Sequence, residues 1–290
     1  MNTTNVGVVG GGLMGSEIAL TVARHLGCKV VIRDISDEAL AKSKDTVFKV
    51  ASRTVRRNEA TDEEAADWLR RISYVTKIED VAAGQPEVVI EAVFEDLALK
   101  QELFAELDRL VPPTAILCTN TSALPVTSIA VRTQNPQRVV GTHFFNPASI
   151  MKLVEMVRGY YTSDDTVERT KELCRSIGKE PVVCKDSPGF ITSRLMAPIL
   201  MEAVRCLQEE LASVEDIDKA MKLAYNHPIG PFEFLDLVGL DTMVKVLDEM
   251  TKTMGSQWLA PPLMRQLVAA GRMGRKAGKG FYEYDKLKPR

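Results

Sequence analysis

The stretch NVGVVGGGLMG, Asn5 to Gly15, decides the fold of this chain. Its apolar start predicts a buried strand, and Gly10, Gly12 and Gly15 then fill the three positions of a G-x-G-x-x-G turn. Such glycines permit a tight turn, the close approach of a pyrophosphate and the close packing of the following helix. That helix directs its unpaired amide groups at the phosphates. The stretch therefore predicts a dinucleotide site, the alternative being an ordinary turn between a strand and a helix.

A second apolar run ends in a carboxylate, where an adenosine ribose is held in such folds. The run KVVIRD, Lys29 to Asp34, predicts the second strand, and Asp34 lies 19 residues after Gly15. A carboxylate about 20 residues after the turn accepts a hydrogen bond from the ribose 2′-hydroxyl. Because it also repels a 2′-phosphate, we expect NAD rather than NADP. Arg33, beside Asp34, is a cation of the kind that favours a 2′-phosphate. Alternate residues of a strand, however, point to opposite faces.

Composition indicates a globular protein with room for two domains. The 290 residues are 45% hydrophobic and 26% charged, with a net charge of −2. This balance does not predict a nucleic-acid partner, and no apolar run reaches the roughly 20 residues of a membrane helix. The five cysteines form no C-x-x-C pair, which favours reduced thiols in a cytoplasmic protein and suggests no metal site. Because the first strand starts so early, we expect no signal or transit peptide.

Short apolar runs alternate with helical patterns over the first 185 residues. This alternation predicts an α/β fold with a Rossmann-like, doubly wound parallel sheet. From residue 186 the sequence favours helices joined by Pro/Gly turns, so we predict an NAD-binding domain over 1–185 and an all-α C-terminal domain over 186–290. The predicted later strands are 74–76, 87–90, 115–118, 138–141, 152–157 and 181–184, and the predicted helices include 95–110, 164–177, 191–211, 214–225, 239–254 and 262–271.

A helical hairpin is inserted after the second strand. Residues 37–57 predict a long helix, and Thr61 with Glu64 has the spacing of a capping box that begins another. A run of charge on a helix is commonly a solvated face, so the residues alone leave open whether this hairpin binds an anion. Its basic residues are Lys42, Lys44, Lys49, Arg53, Arg56 and Arg57.

His143 is the histidine best placed for chemistry. It lies at the end of a predicted strand, where ligands bind in open parallel sheets, whereas His25 and His227 suit a helix end and a turn. Glu155, twelve residues on, is the candidate partner that would fix its tautomer as a general base. The preceding strand ends in polar residues 119–122, which bind a cofactor or substrate oxygen or merely cap the next helix.

The chain resembles the L-3-hydroxyacyl-CoA dehydrogenases, including short-chain 3-hydroxybutyryl-CoA dehydrogenases, over essentially its whole length. The resemblance implies an oxidoreductase that interconverts (S)-3-hydroxyacyl-CoA and 3-oxoacyl-CoA by hydride transfer to or from NAD. It also implies a homodimer formed through the C-terminal domain. The motifs that carry it are the 10–15 turn with Asp34, Asn120-Thr121-Ser122, His143-Phe144-Phe145-Asn146-Pro147, Met151-Lys152-Leu153-Val154-Glu155, Lys185-Asp186-Ser187-Pro188-Gly189-Phe190, Gly230-Pro231-Phe232-Glu233 and Gly278-Lys279-Gly280-Phe281-Tyr282.

The resemblance implies a role for each matching position. His143 would be the catalytic base, Glu155 its orienting partner, and Ser122 a hydrogen-bonding partner of the reacting oxygen. The positions implied near NAD are Gly10, Gly12, Leu13, Met14, Gly15, Asp34, Glu95, Lys100, Asn120, Ser122, Asn146 and Lys276. Those implied near the acyl-CoA are Thr46, Arg53, Ser122 and Asn146. Arg53 stands where lysine is usual, and it keeps the charge that suits a phosphate of coenzyme A.

Ser193 departs from the family pattern within the implied catalytic site. The family usually has asparagine there, and serine is shorter and lacks the amide, so efficiency or acyl preference is expected to differ. Two other functions stay open. One is a dehydrogenase of a small hydroxy acid or sugar acid, which would not need the basic hairpin. The other is an NAD-binding protein that has lost activity through Ser193, although His143 and Glu155 argue against it.

An apolar stripe follows Ser193 at helical spacing. Met196, Leu200, Val204 and Leu207 recur every three or four residues, which predicts one apolar helix face. With the family resemblance, we expect this face to form the homodimer contact. The alternative is that the domain buries the stripe within itself.

Overall fold

The computed structural model describes residues 4–284, and the chain divides between Ser187 and Pro188 into two compact units. Within these residues the first unit contains eight strands and seven α-helices. Its strands are β1 (Asn5–Val9), β2 (Lys29–Arg33), β3 (Ile72–Val75), β4 (Val88–Glu91), β5 (Ile116–Thr119), β6 (Val139–Phe144), β7 (Leu153–Arg158) and β8 (Glu180–Lys185). Its helices are α1 (Leu13–Leu26), α2 (Asp37–Arg56), α3 (Asp62–Arg70), α4 (Ile78–Ala83), α5 (Leu97–Leu110), α6 (Val126–Ala130) and α7 (Asp164–Ser176).

The strands form one sheet in the order β3-β2-β1-β4-β5-β6-β7-β8. Strands β1 to β6 are parallel, and the chain order reverses between β1 and β4, which is where open α/β sheets bind ligands. The predicted α/β, Rossmann-like fold is confirmed. The sheet is nevertheless mixed, because β7 runs antiparallel to β6. Residues 145–152, which join them, are fewer than the dozen or so that a parallel crossover needs.

Helices cover both faces of the central strands. Every residue of β4, β5 and β6 is buried, which is why these strands are nearly continuous apolar runs rather than alternating patterns. Helix α1 buries nine consecutive residues, from Gly15 to Ala23, against this sheet and the neighbouring helices. The core thus holds the glycine turn and the carboxyl ends of the central strands in fixed positions.

The inserted hairpin consists of α2 and α3, as predicted. Ser36 caps α2 by accepting a hydrogen bond from the Ala39 amide at 3.2 Å. Thr61 and Glu64 form the predicted capping box at the start of α3, since each accepts a hydrogen bond from the other's backbone amide. Helix α2 buries a set of residues at helical spacing, Leu40, Ser43, Val47, Val50, Ala51 and Thr54. Its basic side chains therefore lie on the exposed side.

One predicted helix boundary shifts for a local reason. Helix α5 begins at Leu97 and not at Glu95, because Asp96 caps it by accepting from the Leu99 amide at 2.9 Å. Glu95 is thereby left in the loop before the helix. The short helices α4 and α6 were not predicted, since neither has enough residues to show a period.

The second unit, within the described residues, contains five α-helices. They are α8 (Thr192–Gln208), α9 (Val214–Tyr225), α10 (Pro231–Val238), α11 (Leu240–Met254) and α12 (Pro262–Ala269). The all-α prediction is confirmed, although α10 was not predicted as a helix. No helix within residues 4–284 is both long enough and apolar enough to cross a membrane.

Two buried aspartates tie the glycine-rich motifs of this unit together. Asp236 accepts hydrogen bonds from the amides of Phe281 and Tyr282 and from the hydroxyl of Tyr284, all at 2.9 Å. A Cβ at Gly280 would lie 1.9 Å from the Asp236 carboxylate, so only glycine fits this approach. The motif at 278–282 therefore has a structural role in this unit.

Asp218 organises the other motif, at 230–233. Its carboxylate accepts from the amides of Phe232 and Glu233 at 2.8 and 3.0 Å and from the Tyr282 hydroxyl at 2.8 Å. Burial raises the pKa of Asp218 above its ordinary value. A Cβ at Gly230 would lie 2.3 Å from the Asp218 carboxyl carbon, which explains the glycine.

The apolar stripe of α8 is divided between interior and surface. Leu200 and Val204 are buried within the single chain, whereas Met196 and Leu207 are half-buried. The expectation that the whole stripe forms a dimer contact is wrong for Leu200 and Val204. Helices α10 and α12, which belong to the same unit, pack on α8. The inner face of α8 is therefore already covered.

Candidate active site

The glycine turn leaves one side of the α1 N-terminus open. Gly10 has φ +103°, and a Cβ there would lie 2.5 Å from the Ala92 carbonyl oxygen. A Cβ at Gly15 would lie 1.8 Å from the Gly10 carbonyl oxygen, so the turn and the helix touch. A Cβ at Gly12 would meet nothing within 4 Å. Gly12 thus marks the open approach to the first-turn amides, which is the arrangement that a dinucleotide pyrophosphate requires.

Asp34 faces this turn from the end of β2. Its carboxylate accepts hydrogen bonds from the amides of Gly11 and Ile35, both at 2.7 Å. The Arg33 Nε donates to the Thr76 carbonyl oxygen at 3.1 Å, so its guanidinium is held toward the chain after β3. The structure therefore brings Asp34 to the glycine turn, and these residues fit an NAD ribose and pyrophosphate. Leu13 and Met14 follow the turn as exposed and half-buried side chains.

His143 and Glu155 lie directly opposite each other on β6 and β7. Their side chains meet with Nδ1 of His143 2.8 Å from Oε2 of Glu155. Both are buried, and the Phe145 ring packs against the imidazole with centroids 4.5 Å apart. A carboxylate that accepts from Nδ1–H places the basic lone pair on Nε2. The pair can therefore exchange a proton through Nε2 while the carboxylate steadies the charged ring.

The loop of Ser122 is held by the carboxylate of Glu95. Glu95 Oε1 accepts from the Thr121 hydroxyl at 2.6 Å and from the amides of Ser122 and Ala123 at 2.8 and 3.1 Å. Asn120, before it, accepts a hydrogen bond from the Phe144 amide through Oδ1 at 2.9 Å. The loop after β5 is thus tied to the strand of His143, because Phe144 follows that histidine.

Lys100, predicted near the cofactor, is wholly buried beneath this loop. Its ammonium lies 2.5 Å from Oε1 of Glu91 and 3.4 Å from Oε2 of Glu95. Within the described residues it therefore belongs to a carboxylate network and not to the open surface. Glu91 is a site residue that the sequence reasoning missed. The signal was present, since a charged residue ends an otherwise apolar strand.

The loop after His143 has its own buried anchors. Asn146 is exposed at the start of this loop. Glu17 of α1 accepts from the amide and the hydroxyl of Ser149 at 3.0 and 3.1 Å. The Lys179 ammonium donates to two carbonyl oxygens of the same loop at 2.6 and 2.9 Å, and burial lowers the pKa of this lysine. The sequence reasoning missed Glu17 and Lys179; the signal for Glu17 was a charge within an apolar helix.

The remaining predicted residues lie on α2 and in the second unit. Thr46 donates a hydrogen bond to the Lys42 carbonyl oxygen at 2.9 Å, and the Arg53 side chain is exposed. In the second unit Ser193 lies half-buried in the first turn of α8. The Lys276 ammonium there lies 2.6 Å from the Asp241 carboxylate. The contacts implied for these residues with NAD and acyl-CoA stay predictions.

Comparison with known proteins covers both units. Residues 5–187 match the family described as 3-hydroxyacyl-CoA dehydrogenase, NAD binding domain, and residues 189–284 match its C-terminal domain. A probable 3-hydroxybutyryl-CoA dehydrogenase of Bacillus subtilis is 40% identical, covering 98% of this chain and 99% of that protein. The human mitochondrial hydroxyacyl-coenzyme A dehydrogenase is 43% identical, covering 97% and 91%.

A solved structure agrees with the same grouping. The (S)-3-hydroxybutyryl-CoA dehydrogenase of Ralstonia eutropha superposes with a TM-score of 0.92 at 40% identity, covering 98% of this chain and 100% of that one. The geometry of the glycine turn with Asp34 fits a dinucleotide, and the geometry of the His143–Glu155 pair fits proton exchange, both of which such a dehydrogenase requires. The chain belongs to the family of NAD-dependent 3-hydroxyacyl-CoA dehydrogenases.

Proposed function

We propose that this enzyme interconverts (S)-3-hydroxyacyl-CoA and 3-oxoacyl-CoA, with 3-hydroxybutyryl-CoA among its substrates and His143 as the acid/base group. The observation that carries the proposal is the 2.8 Å hydrogen bond between His143 and the buried Glu155 in the sheet of the NAD-binding domain. The similarity to enzymes named 3-hydroxybutyryl-CoA dehydrogenase supports the short acyl chain.

Each group of the site has a distinct task in this reaction. NAD, when bound, supplies a hydride acceptor for C3 of the substrate. His143 removes the proton of the C3 hydroxyl through Nε2, and Glu155 stabilises the imidazolium that results. Ser122 hydrogen-bonds the reacting oxygen. In the direction of reduction the protonated His143 returns the proton to that oxygen.

The glycine turn and Asp34, which we propose to hold NAD, lie at the carboxyl ends of β1 and β2. The turn at 10–15 would take the pyrophosphate at the open side of Gly12, and Asp34 would accept from the adenosine ribose. We assign Asn146 and Lys276 to the same cofactor by family resemblance. Lys100, which the family resemblance also places near NAD, is buried against Glu91 and Glu95.

The exposed face of α2 supports a coenzyme A substrate. Lys42, Lys49, Arg53 and Arg56 recur at spacings of three, four and seven residues, with Thr46 between them, on the side of the helix opposite its buried residues. Clustered cations of this kind suit the phosphates of coenzyme A. A dehydrogenase of small hydroxy acids would have no use for them, which disfavours that alternative.

We also propose that the enzyme is a cytoplasmic homodimer assembled through its second unit. Large apolar side chains remain exposed there, among them Leu195, Leu211, Leu223 and Tyr225, at 68 to 76%. The five cysteines, which lie between residues 28 and 206, are all free thiols, as expected in a reducing compartment. Light scattering at micromolar concentration tests the assembly, and a monomer there would refute it.

The proposed function is tested by replacing the acid/base pair. We expect His143→Ala to slow oxidation of 3-hydroxybutyryl-CoA by about 10² to 10⁴ while NAD binding, followed by calorimetry, stays nearly unchanged. Glu155→Gln should slow it less, since the imidazole remains. His25→Gln, at the far end of α1, is the matched control and should keep normal turnover. Near-normal oxidation by His143→Ala would remove His143 from the mechanism.

A further inference from the structure

A chain of three charged side chains, two of them fully buried, leads to the loop of Ser122. It begins at Glu91, the last residue of β4, whose side chain is wholly buried. Both carboxylate oxygens are occupied. Oε1 accepts from the Lys100 ammonium at 2.5 Å and the Val93 amide at 2.7 Å, and Oε2 accepts from the Thr119 hydroxyl at 2.7 Å. Glu91 therefore joins the ends of two neighbouring strands to α5.

The second half of the chain leads from Lys100 to Ser122. The Lys100 ammonium lies 3.4 Å from Oε2 of Glu95. The other oxygen of Glu95 accepts from the Thr121 hydroxyl and from the amides of Ser122 and Ala123. Each oxygen of Glu95 thus has a different task, since one is anchored by the lysine and one holds the loop.

This arrangement is a costly way to gain stability alone. Removing two charged groups from water costs free energy that a well-packed apolar pair would avoid. The side chain of Glu95 is 36% exposed, so without the ammonium beside it this carboxylate would have other rotamers open to it. A displacement of about 1 Å at a reacting group can cost about 10²-fold in rate, which gives the anchor a chemical purpose.

We propose that Glu91 and Lys100 are positioning residues, which fix Glu95 and through it the backbone of Ser122. The inference rests on the proposed role of Ser122 at the reacting oxygen. The network acts on the step in which bonds change, because it holds the backbone of the group that meets the reacting oxygen, and Glu91 and Lys100 are themselves fully buried. Loss of either buried charge should therefore lower kcat more than it changes the KM for the acyl-CoA.

The test compares Glu91→Gln, Lys100→Met and the double variant with Ser122→Ala. One measurement needs no cofactor, namely hydrogen exchange at the Ser122 and Ala123 amides of the ligand-free enzyme. The other is the primary isotope effect on kcat with substrate deuterated at C3. We expect each single variant to raise the exchange rate at these amides about tenfold or more. We also expect kcat to fall about 10- to 100-fold and the isotope effect to increase, while the KM for the acyl-CoA changes less than about threefold.

The double variant distinguishes the positioning of Ser122 from the loss of stability that follows when one buried charge is left without its partner. Removing both members of a buried pair restores stability that the single variants lose, because no uncompensated charge remains. If the network positions Ser122, exchange and isotope effect stay raised in the double variant although unfolding stability recovers. Wild-type kinetics in the double variant would show that the pair serves stability alone, and the proposal would be wrong.

A second buried ion pair supplies the matched control. Arg138 and Asp108 form an ion pair at 2.8 Å. Arg138 lies just before β6, at the amino ends of the parallel strands, whereas Ser122 follows the carboxyl end of β5. Asp108→Asn should lower stability without changing the isotope effect. A raised isotope effect in Asp108→Asn would show that general destabilisation is enough to raise the isotope effect, and the proposal would be overturned. If Ser122→Ala itself behaves as wild type, the role of Ser122 fails; if only Ser122→Ala is slow, the positioning network alone fails.

Discussion

Ser193 is the residue at which we expect this chain to depart from the family pattern within the implied catalytic site. It lies half-buried in the first turn of α8, and its side chain lacks the amide of the usual asparagine. We expect Ser193→Asn to raise kcat/KM with short 3-hydroxyacyl-CoA substrates by about a few-fold to tenfold. The reason is one restored substrate hydrogen bond, worth roughly 0.5–1.5 kcal/mol. Steady-state oxidation of thioesters of increasing chain length measures this.

Ser193→Ala is the control for that substitution. It removes the hydroxyl without adding reach, so it shows whether serine already binds substrate through its own oxygen. If Ser193 leaves room for a bulkier or branched acyl group, Ser193→Asn should improve short substrates and impair that one. Unchanged efficiency for every acyl-CoA tested would mean that the departure is neutral.

Helix α2 packs on the first unit with one side, and we propose that it binds coenzyme A with the other. Its buried residues hold it to the first unit, while Arg53 is exposed on the other side. We expect Arg53→Ala to weaken binding of coenzyme A about three- to tenfold, because one charge-assisted contact with a phosphate is lost at a solvated surface. NAD affinity should be unaffected. Calorimetric titration of coenzyme A alone and NAD alone measures both.

Lys44 is the matched control on the same helix. It is exposed and lies nine residues before Arg53, which is about half a turn round the helix. Lys44→Ala should leave coenzyme A affinity within about a factor of two, and added salt should reduce the Arg53→Ala difference. Equal weakening by both variants would indicate a diffuse field and contradict a specific phosphate contact.

In the second unit, the Tyr282 and Tyr284 hydroxyls donate hydrogen bonds to the buried Asp218 and Asp236 and so link distant parts of that unit. Burial and the Asp236 carboxylate raise the pKa of Tyr284 from about 10 to about 12. A group whose pKa is higher in the folded state stabilises that state fully below its unfolded pKa. The stability that Tyr284 contributes should therefore be complete below pH 10 and lost as the pH rises through 12.

We expect Tyr284→Phe to lower the free energy of unfolding at pH 8 by about 1 kcal/mol, the worth of one hydrogen bond. The variant should also lose less stability between pH 10 and 12 than the wild type. Urea unfolding at both ends of this range measures the difference. Tyr74, whose pKa burial also raises to about 12, is present in both proteins and so does not affect the comparison. Identical pH dependence would contradict the role of Tyr284.

The elements of this fold follow from local sequence to a large extent. The strand, turn and helix at 5–26 and the capping box at Thr61 rest on neighbouring residues, whose spacing fixes their conformation. The pairing of His143 with Glu155 was also predictable, because the residues between them allow only a short return. Family motifs then identified the chemistry, although the glycines at 230 and 280 proved to serve packing against aspartates.

The sequence alone thus predicted most of the elements, the glycine turn and the family, and it pointed to Glu155 as the partner of His143. Long-range packing, in contrast, brings Glu91 to Lys100 and Thr119, buries Lys100 and places Leu200 inside the second unit. Glu91 and Thr119 are 28 residues apart, and nothing in either segment encodes the other. They become neighbours because β4 and β5 are adjacent in the sheet, and strand order depends on how the whole chain packs.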